Sequence, residues 1–155
     1  MKAIDKAYRQ LEEFERTTYQ LYKDDDINES DTRSKVLDYI IKDILGWNET
    51  DILREGFVRD GYFDYELRTS TFNFLVEAKK NFVEFELPQK GNEVKLRTIY
   101  KSNEAVINQI RSYLFERSLQ YGVITNGHQF IIASFVSYTG ADWKDNDCIY
   151  YKSFS

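Results

Sequence analysis

A chain of 155 residues with 42% hydrophobic and 16% aromatic side chains can bury the core of one domain, and this is not the composition of a disordered segment. Its single cysteine, Cys148, excludes an intrachain disulfide and a cysteine-built zinc site and points to a reducing, cytoplasmic setting. Of the net charge of −5, residues 1–31 hold −4 and the remaining 124 residues −1, so the acidity belongs mainly to the amino-terminal arm.

Along that arm Ile4, Ala7, Tyr8, Leu11, Phe14, Leu21 and Tyr22 recur at helical spacing. The pattern predicts one amphipathic helix ending near Tyr22, packed on the core or on a neighbouring subunit. Asp5, Glu12, Glu13 and Glu15 interrupt any signal-peptide core, and the longest apolar runs, such as 130–135, fall far short of the ~20 residues of a membrane span. The run Asp24-Asp25-Asp26 reads as a solvated acidic linker. Residues 1–26 are therefore expected as an appendage and residues 27–155 as the main domain.

Val36, Leu37, Ile40, Ile41, Ile44 and Leu45 make the buried stripe of a second helix over 31–45, capped by Ser30 or Asp31 and stopped by Gly46. From 54 to 67 the pattern turns to strand, with a hairpin at Asp60-Gly61, so Asp64 falls in the hairpin's second strand. An aspartate among Tyr and Phe is costly to bury unless a salt bridge or a metal partners it. A turn at 68–70 leads to a third strand, 71–78, in which Leu75, Glu77 and Lys79 share one face and Phe74, Val76 and Ala78 the other. Asp64 precedes Glu77 by thirteen residues, the gap that two antiparallel strands and their turn fill. Two carboxylates then converge beside a lysine, which suggests a hard-cation site.

Pro88, Gly91 and Asn92 mark 81–99 as a loop, with Phe82, Val83, Phe85 and Leu87 as a short edge strand. Between 79 and 101, Lys79, Lys80, Lys90, Lys95, Arg97 and Lys101 outnumber Glu84, Glu86 and Glu93, which reads either as a phosphate-facing patch or as an ordinary solvated loop. Asn103 is expected to cap a long helix reaching about Gln120, built on Val106, Ile107, Ile110, Leu114 and Leu119. Gln109 and Tyr113 share a face of it. Strands at 121–125 and 129–135 meet at Asn126-Gly127. His128, the lone histidine, lacks any G-x-S-x-G partner and reads as incidental in an exposed turn, and Cys148 reads as packing in a last strand. No P-loop or dinucleotide fingerprint is present.

Several of these segments fall in one order: Glu29-Ser30-Asp31-Thr32-Arg33 with Ile44-Leu45-Gly46-Trp47, Gly61-Tyr62-Phe63-Asp64-Tyr65, Phe74-Leu75-Val76-Glu77-Ala78-Lys79, the Gln109/Tyr113 pair, and 121–127. Over roughly residues 28–135 the chain resembles the PD-(D/E)XK nuclease superfamily. More narrowly, it is similar to the nuclease domain that begins the motor subunit of type I restriction enzymes and to related predicted type IV restriction proteins. The resemblance implies a restriction-endonuclease-like α/β/α sandwich, a mixed central sheet flanked by the helices at 31–45 and 103–120, with an additional N-terminal helix.

It also implies roles. Asp64 and Glu77 would hold Mg²⁺, with Mn²⁺ as a substitute and the Ala78 carbonyl completing the shell, while Lys79 would orient the attacking water or stabilise the developing charge. Glu29 would approach the metal from the first core helix, although the helix dipole alone favours an acid at that place. Gln109 and Tyr113 match the family's Q-x-x-x-Y motif and would support the site. The activity implied is Mg-dependent endonuclease cleavage of DNA, leaving 5′-phosphate ends. The setting implied is a restriction or antiphage defence system, beside a motor, recognition or sensor module in the same chain or a partner protein. Three alternatives stand beside this: a vestigial site in a nucleic-acid-binding or assembly module, a protein-interaction unit that forms a homo-oligomer through its first helix, and RNA as substrate.

Overall fold

The computed structural model describes residues 2–22, 28–59, 61–80 and 82–153, which form a mixed α/β structure around one seven-stranded, mostly antiparallel open sheet. The Asp24-Asp25-Asp26 run and Asp60 of the first hairpin lie outside the described residues. The strands are β1 (Ile52–Val58), β2 (Gly61–Arg68), β3 (Asn73–Ala78), β4 (Glu93–Lys95), β5 (Tyr121–Thr125), β6 (Phe130–Ser134) and β7 (Asp147–Tyr151), in the spatial order β1-β2-β3-β5-β6-β7-β4. Only β3 and β5 pair in parallel, with Glu77 opposite Ile124 and Ala78 opposite Thr125. That pair sits mid-sheet, where the chain leaves at the end of β3 and returns at β5 after the helices.

Helix α1 (Ala3–Thr17) ends five residues before the expected Tyr22, and a separate 3₁₀ turn follows at Tyr19–Leu21. Phe14 and Tyr19 are buried against Val36, Ile40 and Ile44, and the Phe14 ring stacks on Tyr39 at 4.9 Å. The stripe is only half used: Ile4 and Tyr8 stay exposed.

Helix α2 (29–44) differs from expectation in three ways. Its cap is Asn28, whose side chain accepts from the Asp31 N–H at 2.8 Å, and not Ser30 or Asp31. Most of it winds in wider π-type turns, over Thr32–Leu37 and Ile40–Ile44, with bonds five residues apart. Val36, Ile40 and Ile44 then align toward α1, Leu37 and Ile41 toward the sheet, and Leu45 falls outside the buried stripe and is exposed. Gly46, at φ 75°, supplies the expected stop.

On the other side of the sheet, α4 (Glu104–Glu116) packs over β3 and β5 through Ile107, Ile110 and Leu114. The long helix expected from Asn103 to Gln120 is shorter at its end and preceded by a separate α3 (Leu96–Tyr100). Asn103 holds the expected N-cap position but makes no side-chain capping bond. Its amide donates to Glu86 O and Ile99 O, and its carbonyl oxygen accepts from the Glu86 N–H. The segment expected as an edge strand at 82–87 is irregular, because Gln129 and Asn103 side chains satisfy the Phe85 and Glu86 backbone in place of a neighbouring strand. The short edge strand is β4, on β7.

Within the basic stretch at 79–101, Lys95 pairs with Asp147 at 2.7 Å, and Arg97 with Asp142 and Asp145. The sandwich is also incomplete. Helix α2 leaves Tyr121, Ile132 and Ile149 exposed on its side of β5–β7, above an apolar groove of about 580 Å³.

Candidate functional site

β2 and β3 are in antiparallel register, Tyr65 opposite Val76 and Leu67 opposite Phe74, so continuing it by one residue sets Asp64 opposite Glu77. Facing residues of antiparallel strands project to the same side, and this brings the two acids together as the spacing predicts. Val76 and Ala78 pack under α2 and Leu75 packs under α4, so Glu77 and Lys79 look toward α4, as the alternation predicts.

β2 itself is not regular at this point. Phe63 packs with the cluster under α4, whereas Tyr65 and Leu67 pack under α2, so alternation breaks at Asp64. Opposite it in β1, Glu55 has φ 50°, left-handed for a residue with a side chain, and Gly56 lies directly under the Phe63 ring. The kink and the missing Cβ seat the aromatic ring between the strands and turn Asp64 into the site.

Both Asp64 oxygens are engaged. The Ala78 N–H donates to Oδ2 at 2.7 Å, and Arg33 Nη1 donates to Oδ1 at 3.0 Å while reaching Glu55 Oε1 at 2.7 Å. Burial nevertheless raises the Asp64 pKa. The Ala78 N–H and Arg33 oppose that rise, and the charge of Glu29 adds to it.

Glu77 is more exposed to the consequences of burial. Its Oε1 accepts from Lys79 Nζ at 3.3 Å, but its buried Oε2 has no partner among the described residues. Loss of water, then repulsion from Asp64, raises its pKa to about 8 against the pull of Lys79. The next acid on the same face of β2, Glu66, is equally buried but carries bonds from Arg117 and Arg68. Of the three acids, Glu77 alone keeps a buried carboxylate oxygen without a partner among the described residues.

Lys79 is bonded on its other side to Gln109 Oε1, and Gln109 Nε2 donates to the Tyr113 hydroxyl at 3.0 Å. The two α4 residues are therefore part of the same chain of bonds: the lysine, a donor only, takes the amide oxygen of Gln109, and the amide nitrogen turns to the Tyr113 hydroxyl. Burial raises the Tyr113 pKa, and Glu77, Asp64 and Glu29 contribute to the rise. Glu29, in the first turn of α2, makes no direct bond to these groups among the described residues but acts on all three through space.

An open cleft of about 310 Å³, lined by Ser30, Arg33, Ser34, Arg54, Glu55 and Asp64 among others, leads to the site from the start of α2. Arg33 and Glu55 were not singled out by sequence reasoning. The E-x-x-T-R wording contained Arg33, but nothing local shows that it reaches Asp64, 31 residues on.

Glu77 Oε2, a buried acceptor with nothing to bind, fits a divalent cation. Among the described residues no three His, Cys, Asp or Glu side chains gather around one point, so such an ion would rest on Asp64, Glu77 and the Ala78 carbonyl. His128, expected exposed, is largely tucked in, with Nε2 at 2.8 Å from Glu84 and its ring beside Tyr19. No family model, curated protein or solved structure matches the chain.

Proposed function

We propose that this protein is a Mg²⁺-dependent endonuclease acting on DNA, the nuclease module of a restriction or antiphage defence system that works beside a motor, recognition or sensor module. The observation that carries the reading is the partnerless buried oxygen of Glu77, set beside Asp64 and a lysine braced by Gln109. The succession of α2, the β1-β2-β3 meander, α4 and a parallel β5 supports a restriction-endonuclease-like fold.

Asp64, Glu77 and the Ala78 carbonyl would hold Mg²⁺ or Mn²⁺. Bound there, the cation supplies Lewis acidity to a phosphate oxygen and lowers the pKa of the attacking water. Lys79 donates to a non-bridging phosphate oxygen and stabilises the charge that builds on it. Gln109 braces the lysine's Nζ, and its hydrogen bond to the Tyr113 hydroxyl anchors the Gln109 side chain. Glu29 adds negative charge at the mouth of the site.

One observation favours a second reading, a vestigial site in a nucleic-acid-binding or assembly module. Arg33 and the Ala78 N–H already occupy the two oxygens of Asp64, so the guanidinium stands where a cation would be drawn.

Supercoiled plasmid and single-stranded DNA incubated with the protein and Mg²⁺ or Mn²⁺, beside EDTA and Lys79→Ala controls, separate the two. Metal-dependent cutting that falls at least ~100-fold in Lys79→Ala is expected. Cutting that survives the substitution rejects the site. No cutting, together with no calorimetric heat for Mn²⁺ that Glu77→Gln abolishes, leaves the vestigial reading.

A further inference from the structure

At 100° per residue, Arg111 and Phe115 lie about 200° around α4 from Gln109 and Tyr113, so they face a different surface. There Asn108, Arg111, Ser112, Phe115 and Val136 line an open cleft of about 360 Å³. Arg111 is held at two points: its Nε donates to Phe135 O at 2.9 Å, and its guanidinium lies 3.8 Å from the Trp143 ring centroid. Trp143 is fixed in turn by an edge contact with Tyr100 at 5.0 Å. Its remaining four N–H groups have no partner, and no carboxylate pairs with it, among the described residues. Burial lowers its pKa from the usual arginine value, against the smaller opposing pull of Tyr100 and Asp142. A half-buried, immobilised guanidinium with open donors suits a phosphate, which it can take with two bonds at once.

Beside it stand two large rings turned to solvent. Phe115 is 69% exposed and Tyr138 50%, and their planes differ by only 22°, with centroids 6.5 Å apart. The Tyr138 hydroxyl is anchored on Leu119 O at 2.9 Å, so that ring is held in place. Lys144 lies over the Tyr100 ring at 4.6 Å, and Arg97 pairs with Asp142 and Asp145 nearby.

We propose that this cleft binds single-stranded nucleic acid, a base stacking on the Phe115–Tyr138 platform while the adjoining phosphate bonds to Arg111. Exposed parallel rings beside a fixed cation are the means by which proteins hold unpaired strands, since every base offers a π-face and every nucleotide a charge. The proposal does not use Asp64, Glu77 or Lys79, so it stands or falls separately from the nuclease reading.

The test is fluorescence anisotropy of labelled oligothymidylate and oligouridylate with the whole chain in EDTA, where no metal-dependent cleavage intervenes. Phe115→Ala, which removes an exposed ring and leaves the core untouched, is expected to weaken binding about tenfold. Arg111→Gln is expected to weaken it comparably and to flatten the dependence on salt by about one counterion, with Arg111→Lys intermediate. Thermal melts confirm that each variant is folded. Preference for one oligomer identifies the source as DNA or RNA. Absence of binding by the wild type, or wild-type affinity in either Phe115→Ala or Arg111→Gln, overturns the proposal, whatever the plasmid assay shows.

Discussion

Glu77 sits with one carboxylate oxygen bonded to Lys79 and the other facing no donor, and that asymmetry has a measurable sign. Its folded pKa, about 8, lies above the ordinary glutamate value of 4.5, so the folded state holds a proton that the unfolded chain releases. Stability from this group is complete below about pH 4.5 and is lost as pH rises through 8. The metal-free protein should therefore weaken across that window, with Asp64 adding to the same slope. Glu77→Gln removes most of the slope and is expected to be the more stable protein at pH 8, by roughly 4 kcal/mol, and nearly equal at pH 4.5. Urea melts at several pH values in EDTA check this. Parallel curves for the two proteins would mean that Glu77 is ionised and satisfied in the folded state.

At the scale of elements, the site depends on how β1 and β2 meet. Gly56 leaves the space that the Phe63 ring occupies, and a Cβ built there would lie 1.9 Å from the ring. Phe63 is the residue before Asp64, so displacing its ring moves the strand that aims the carboxylate. Gly56→Ala is expected to cost about 2 kcal/mol through overpacking, seen in denaturant midpoints, and to reduce metal-dependent cleavage beyond the loss of folded protein. Cleavage unchanged per folded molecule would show that the kink at Asp64 does not depend on this packing. The bracing of Lys79 from α4 works differently, through side chains that reach the lysine from a separate layer.

For the molecule as a whole, a ligand that binds only the folded state shifts the unfolding equilibrium. Mg²⁺ or Mn²⁺ at ~100 times its dissociation constant should add about 2.7 kcal/mol, raising the melting midpoint at pH 8. The shift should shrink toward pH 5, where Glu77 is protonated, and vanish in Glu77→Gln. A wild-type midpoint indifferent to both metals would favour the reading in which Arg33 permanently takes the cation's place at Asp64. The same experiment leaves the Arg111 surface untouched, because the two sites lie on different flanks of α4 and share no residue.

Much of this arrangement was legible along the chain because its causes are local. Alternation placed Glu77 and Lys79 on one face of β3, hairpin length set Asp64 against Glu77, and apolar spacing marked α2 and α4. What the sequence did not show are effects that need the third dimension. Arg33 reaches Asp64 across 31 residues, and Gln129 bonds the Phe85 backbone across 44, replacing the strand expected there. The wide turns of α2 and the left-handed Glu55 answer to packing between layers, which no periodicity records. The sequence by itself determined which residues could meet, through the periods of strand and helix. Only the tertiary structure decided which buried charges were fully satisfied: a neighbour two residues on reaches one oxygen of each, Arg68 for Glu66 and Lys79 for Glu77, but only Glu66 gains a second partner from another element, Arg117, while Glu77 Oε2 stays bare among the described residues.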